Sequence, residues 1–160
     1  MEDKVYSISE LKEIAIKFRC AIEKAIQAGE FRGSDLENFP NGCCNYISDC
    51  LQRYLYEHGI ETLCVFVKYG YGWDSESHVW LATNNNIIID ITGDQYKDNR
   101  AMLNYDIPVF VGEADEFHKL FEYNGLPIKY TPGEAPNDSY RKSRILSIIL
   151  CKHSSRVMEC

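Results

Sequence analysis

Residues 78–92 constrain the fold more tightly than any other stretch of the chain. Two β-rich runs, 78–83 and 87–92, flank Asn84-Asn85-Asn86. Asparagine tolerates left-handed backbone angles, so this connection reads as a hairpin turn. With the turn centred there, residues on the two strands pair when their numbers sum to about 170. Residue 78 then falls opposite residue 92, and Asp90 lies diagonally beside His78. Both numbers are even, so on regular strands the two side chains share a face, and only a bulge would break that parity. Asp90 is also the lone carboxylate in Ile87-Ile88-Ile89-Asp90-Ile91. An unpaired buried carboxylate is costly, and the hairpin supplies His78 as its partner.

The rest of the chain reads as α+β. Ile8, Leu11, Ile14, Ala15, Phe18, Ala21, Ile22, Ala25 and Ile26 follow the three-four spacing of one helical face over 8–28. Ser7 and Glu10 have capping-box spacing, and Gly29 supplies the stop. Residues 30–42, with Gly, Ser, Asp, Asn and Pro, form an irregular approach loop. A second helix starts at Cys43 or Cys44, buries Ile47, Leu51, Tyr54 and Leu55, and ends at His58 before Gly59. A strand over 62–69 precedes the hairpin. Beyond it the spacing suggests a short strand at 109–111, a helix over 113–123, a loop at 127–137 and a closing helix over 139–152. No internal repeat or low-complexity linker interrupts the chain, so residues 1–160 read as a single domain with N-terminal helices packed on an antiparallel sheet.

Charge and cysteine content narrow the function classes. A net charge of -7 repels phosphate backbones, which argues against nucleic acid as a partner. The cluster Arg141-Lys142-Ser143-Arg144 fits a solvated helix face. No apolar run reaches the ~20 residues of a membrane span, and the charged start of the chain lacks a signal-peptide core. The expected location is cytoplasmic, with delivery by a route that needs no signal peptide left open. Seven cysteines is an odd count, and without an export signal free thiols are the default. Paired C-x-x-C or helical His spacing for a metal is missing from the sequence, so neither a metal nor a cofactor is expected.

Chemistry concentrates in three pieces. Phe39-Pro40-Asn41-Gly42-Cys43-Cys44-Asn45 delivers a cysteine to a helix start, where the dipole favours thiolate and backbone N–H groups can hold an oxyanion. His78 heads an apolar strand straight after a Gly/Asp/Ser loop, and Asp90 stands beside it. A thiol nucleophile, an imidazole base and a carboxylate that orients the imidazole make up the logic of covalent acyl chemistry.

The pattern Phe39-Pro40-x-Gly42-x-Cys44, Ser77-His78-x-Trp80-Leu81 and Asp90-Ile91-Thr92-x-Asp94-Gln95-Tyr96 resembles the transglutaminase-like branch of the papain-fold cysteine enzymes. Small bacterial proteins carry this pattern in the same order. The resemblance spans residues 39–96 and implies Cys44 as nucleophile, His78 as base and Asp90 as third member. It further implies amide or isopeptide hydrolysis through a thioester, of the protease or glutamine deamidase type, on a protein or peptide substrate. Acyl transfer by the same triad (transglutaminase activity) and an inactive binding module with this fold are the alternatives. Oligomeric state has no signal in the sequence.

Each piece also has a plainer reading. Cys43 is the alternative nucleophile, since adjacent helical residues point about 100° apart and only one faces a cleft. Cys20, Cys50, Cys64 and Cys151 read as small core residues, and Cys160 as a free tail thiol. His58 suits a helix C-terminus, while His118 and His153 read as surface residues on helices. Asn38, Asn41 and Gln95 are the oxyanion or substrate candidates. Tyr69, Tyr71 and Trp73 either overhang the cleft or pack in the core.

Overall fold

The structure, a computed structural model, describes residues 4–132. Helix α1 (Ile8–Gln27) starts at a reciprocal capping box. The Glu10 N–H donates to Ser7 Oγ, and the Ser7 N–H donates to the Glu10 carboxylate. Such caps stabilise a helix start by about 1 kcal/mol. Helix α2 (Cys44–Glu57) has Cys43 as its N-cap. Gly29 and Gly59, at φ +77° and +79°, carry the left-handed turns that end the two helices.

Among the described residues, six antiparallel strands form one sheet. Strands β1 (Leu63–Tyr69) and β2 (Glu76–Ala82) pair along their whole length, from Leu63↔Ala82 to Tyr69↔Glu76. Strand β3 (Ile88–Asp90) pairs with β2 through Leu81↔Ile89 and Ala82↔Ile88, each summing to 170, the register read from the three-Asn turn. The Asn86 N–H closes that turn on the Thr83 carbonyl, and among the three asparagines the positive φ falls on Asn86, at 61°. Strand β4 (Phe110–Gly112) adds to the outer edge of β3. The short strands β5 (Glu122–Tyr123) and β6 (Ile128–Lys129) add to the far edge of β1. The strand order is β4-β3-β2-β1-β5, with β6 also on β1.

Both helices cover one face of this sheet. Leu11, Ala15, Phe18, Ile22 and Ala25 of α1 and Ile47, Leu51 and Leu55 of α2 pack on Cys64, Val79, Leu81, Ile89 and Val111. Each such fully buried aliphatic or aromatic side chain is worth ~1.5–3 kcal/mol relative to exposure. Strand alternation turns Val65, Val67, Trp80 and Ile88 into a second cluster. An aromatic group of Tyr96, Met102, Tyr105 and Phe117 adjoins them. His78 and Asp90 share the parity of Trp80 and Ile88, so the sheet aims both at this aromatic side. No helix among the described residues is long and apolar enough to cross a membrane.

Three expectations are corrected. Residues 113–123 do not form a helix: a 3-10 turn (His118–Leu120) leads into β5 instead. The Asp115 carboxylate accepts the His118 N–H at 2.9 Å, a capping-type bond that starts a helical turn only there, and the backbone is extended again by Phe121. Phe117 and His118 are both buried. His118 is therefore a core residue and not a surface one. Cys20 is disulfide-bonded, against the expectation of free thiols, whereas Cys43, Cys44, Cys50 and Cys64 are outside any disulfide. The anticipated closing helix, the basic cluster at 141–144, Cys151, His153 and Cys160 lie outside the described residues.

Candidate active site

The two adjacent cysteines stand in different surroundings. Gly42, at φ +70°, turns the chain into α2, a backbone angle that a side chain would strain. Cys43 is fully buried, its thiol donates to the Pro40 carbonyl at 3.4 Å, and burial with the neighbouring Cys44 pushes that thiol up to about 12. Cys44 is the first helical residue and half-buried, and it lies near enough to His78 to help hold that imidazole's charge. The first intrahelical bond of α2 runs from the Ile47 N–H to the Cys43 carbonyl. The backbone N–H groups of Cys44 and Asn45 therefore precede the helical ladder, as groups available to an anion.

The hairpin brings His78 and Asp90 together. His78 Nε2 lies 2.8 Å from Asp90 Oδ2, with both side chains buried. An ionised carboxylate only accepts, so Nε2 carries a proton, and in the neutral ring Nδ1 is left for other partners. Gln95 Nε2 lies 3.1 Å from that Nδ1 and donates to the Thr92 carbonyl at 3.1 Å. Burial opposes charge on His78, but the Asp90 charge and hydrogen bond, with Cys44 beyond, raise it to about 9. Burial likewise opposes charge on Asp90, and the charge of His78 with hydrogen bonds from His118 and His78 outweighs it, holding the carboxyl well below its usual range.

These directions predict how stability follows pH. A His78 raised above its unfolded value of about 6.5 contributes stability that is complete below that pH and is lost as pH rises towards about 9. The depressed Asp90 contributes stability present above its unfolded value of about 3.9 and lost in strong acid. The two groups form one pair, so this is a single contribution bounded on both sides. Urea midpoints should fall between about pH 6.5 and 9, by less in an Asp90→Asn variant. A flat profile in the wild type would show that the pair adds nothing to folding.

Two further residues organise the site, and sequence reasoning missed both roles. His118 Nε2 also reaches Asp90 Oδ2, at 2.8 Å, while its Nδ1 meets Asp115 Oδ1 at 2.5 Å. Tyr105 donates to Asp115 Oδ2 at 2.7 Å. Only the Asp115/His118 pair at a three-residue spacing hints at this in the sequence. Arg19 projects from the buried face of α1, in line with Ala15 and Ile22. Its guanidinium holds both Asp94 oxygens, at 2.7 and 2.6 Å, and the carbonyls of Ile91 and Pro108, at 2.8 Å each. It also lies over the Phe39 ring at 4.9 Å, which ties the loop before Cys44 to the loop carrying Gln95. A charge on an apolar helical stripe was the available signal.

The remaining candidates stand apart from this assembly. Asn38 and Asn41 are both exposed. Tyr71 and Trp73 are exposed and are not core residues, whereas Tyr69 packs on Phe121. His58 caps the end of α2, its Nδ1 2.8 Å from the Tyr54 carbonyl. Gly93 passes so close to the site that a Cβ there would stand 2.9 Å from the Tyr105 ring and 3.1 Å from Asp90 Oδ2. No family model matches the chain, and neither a curated protein nor a solved structure matches it.

Proposed function

We propose that the protein is a cysteine-dependent hydrolase of amide or isopeptide bonds in a protein or peptide substrate. The observation that carries this reading is the buried His78–Asp90 pair, with Cys44 on the first turn of α2 beside the imidazole and the carboxylate on its Nε2. In the neutral form of His78, Nδ1 accepts the thiol proton, and the Cys44 sulfur bonds to the substrate carbonyl carbon. The resulting oxyanion is held by N–H groups at the start of α2 and by the Gln95 amide, which turns from Nδ1 as that nitrogen gains its proton. The C–N bond breaks as His78 returns the proton to the leaving nitrogen, and a thioester remains on Cys44. Water then loses a proton to Nδ1 and attacks the thioester, the C–S bond breaks, and the thiol is restored.

The same reading makes the fold a papain/transglutaminase-like one, supported by a nucleophile helix set against an antiparallel sheet with base and carboxylate on adjacent strands. A cytoplasmic setting suits a thiol that must stay reduced, while the disulfide at Cys20 weighs against it.

The test is alkylation by iodoacetamide at neutral pH with peptide mapping. Cys44 should react about tenfold faster than a cysteine in an unstructured peptide, and His78→Ala should remove that advantage. Buried Cys43, Cys50 and Cys64 should stay unmodified in the native state. Labelling of Cys44 that ignores the His78 substitution would rule out the thiol–imidazole pair.

A further inference from the structure

Building on the reading of Cys44, His78 and Asp90 as nucleophile, base and orienting carboxylate, we propose that His118 is a positioning residue: it fixes Asp90 and limits how tightly that carboxylate holds the proton of His78. His118 lies among Trp80, Phe110 and Phe117, with ring centroids 4.6–4.9 Å away. A phenylalanine would fill that space without the cost of burying a polar ring. Instead both ring nitrogens are matched by carboxylate oxygens. Asp115 grips the residue twice, through the ring Nδ1 and through the backbone N–H, and is itself held by the Tyr105 hydroxyl.

The consequence lies at Asp90 Oδ2. That oxygen receives His78 and His118 at 2.8 Å each, while Oδ1 receives the Thr92 N–H at 3.1 Å. Three donors from separate parts of the chain fix the plane of the carboxylate. Two of them divide one oxygen, so neither bond has its full strength. A base that must return its proton to a leaving group benefits from that division, because an undivided carboxylate would keep the imidazole charged to higher pH.

Among the described residues, the titratable groups about His78 are Cys44 from α2, Asp90 from β3, Tyr96 from the turn after β3 and His118 across the shared Asp90 oxygen. Those facing His118 are Asp90, Asp115 and Tyr105. Burial holds both phenols above their ordinary range, so they do not titrate near neutrality.

The experiment follows the His78 ring protons by NMR from about pH 5 to 11 in the full chain, in wild type, His118→Phe and His118→Gln. His118→Phe keeps the ring volume and removes the donor, and the His78 midpoint should rise by about one pH unit. His118→Gln restores an N–H to Asp90 and should bring the midpoint back by more than half of that rise. An unchanged midpoint in a folded His118→Phe protein overturns the proposal, and so does a Gln variant that behaves like Phe.

If His118→Phe does not fold, the decision passes to Asp115→Asn. This partly exposed position should raise the midpoint by about half a pH unit, and no rise there overturns the proposal. The titration needs no substrate and no reaction at Cys44. Failure of the nucleophile reading, seen as alkylation indifferent to His78→Ala, is therefore distinguishable from failure of the His118 role.

Discussion

Asp90→Asn is expected to slow acylation of Cys44 by a p-nitrophenyl ester about a thousandfold, with far-UV circular dichroism unchanged. The size follows from the proton inventory around one side chain. Asp90 accepts from His78, from His118 and from the Thr92 N–H. An asparagine at this position has one accepting oxygen, which His118 and Thr92 compete to occupy. Its amide N–H then points at His78 Nε2, which must give up its own proton to accept. The imidazole proton moves to Nδ1, the nitrogen that faces Cys44, and the base is lost although every atom stays near its place. Rates within about threefold of wild type would remove Asp90 from the mechanism.

The second large effect is on folding. Arg19→Met should destabilise the protein by about 3–5 kcal/mol, measured by urea unfolding, a large share of the roughly 5–15 kcal/mol typical of a domain. The guanidinium has a side chain only 8% exposed, and that of Asp94 is 12% exposed. Methionine fills the stem but leaves Asp94 as a nearly buried charge without its partner, and the Ile91 and Pro108 carbonyls without a donor. Arg19→Lys should recover only part of the loss, since an ammonium cannot span both carboxylate oxygens. In a double-mutant cycle with Asp94→Asn, the two losses should be far from additive. Additive losses, or a cost under about 1 kcal/mol, would show that the latch is not what holds α1 to the Gln95 loop.

How much of this was legible beforehand varied with the range of the interaction. The capping box at Ser7, the stops at Gly29 and Gly59 and the register of the three-Asn hairpin each depend on residues a few positions apart. They could be read directly. The pairing of His78 with Asp90 is longer in reach but follows from that register and from strand alternation, so parity alone predicted a shared face. The segment at 113–123 misled because its spacing allows a helix, while Phe117 and Phe121 join the aromatic cluster and Glu122 and Tyr123 pair with β1. No local pattern records a preference set by a cavity that other segments line.

The sequence by itself determined the α+β arrangement, the ends of both helices and the face shared by His78 and Asp90, because short-range spacing and backbone stereochemistry decide these. It narrowed the thiol to an adjacent pair. Only the tertiary structure decided which thiol is buried and which meets His78, how Arg19 reaches Asp94 across 75 positions, and that His118 reaches Asp90 across 28. Those contacts arise where a buried polar group must find its complement anywhere in the chain, and that complement exists only once the core has closed.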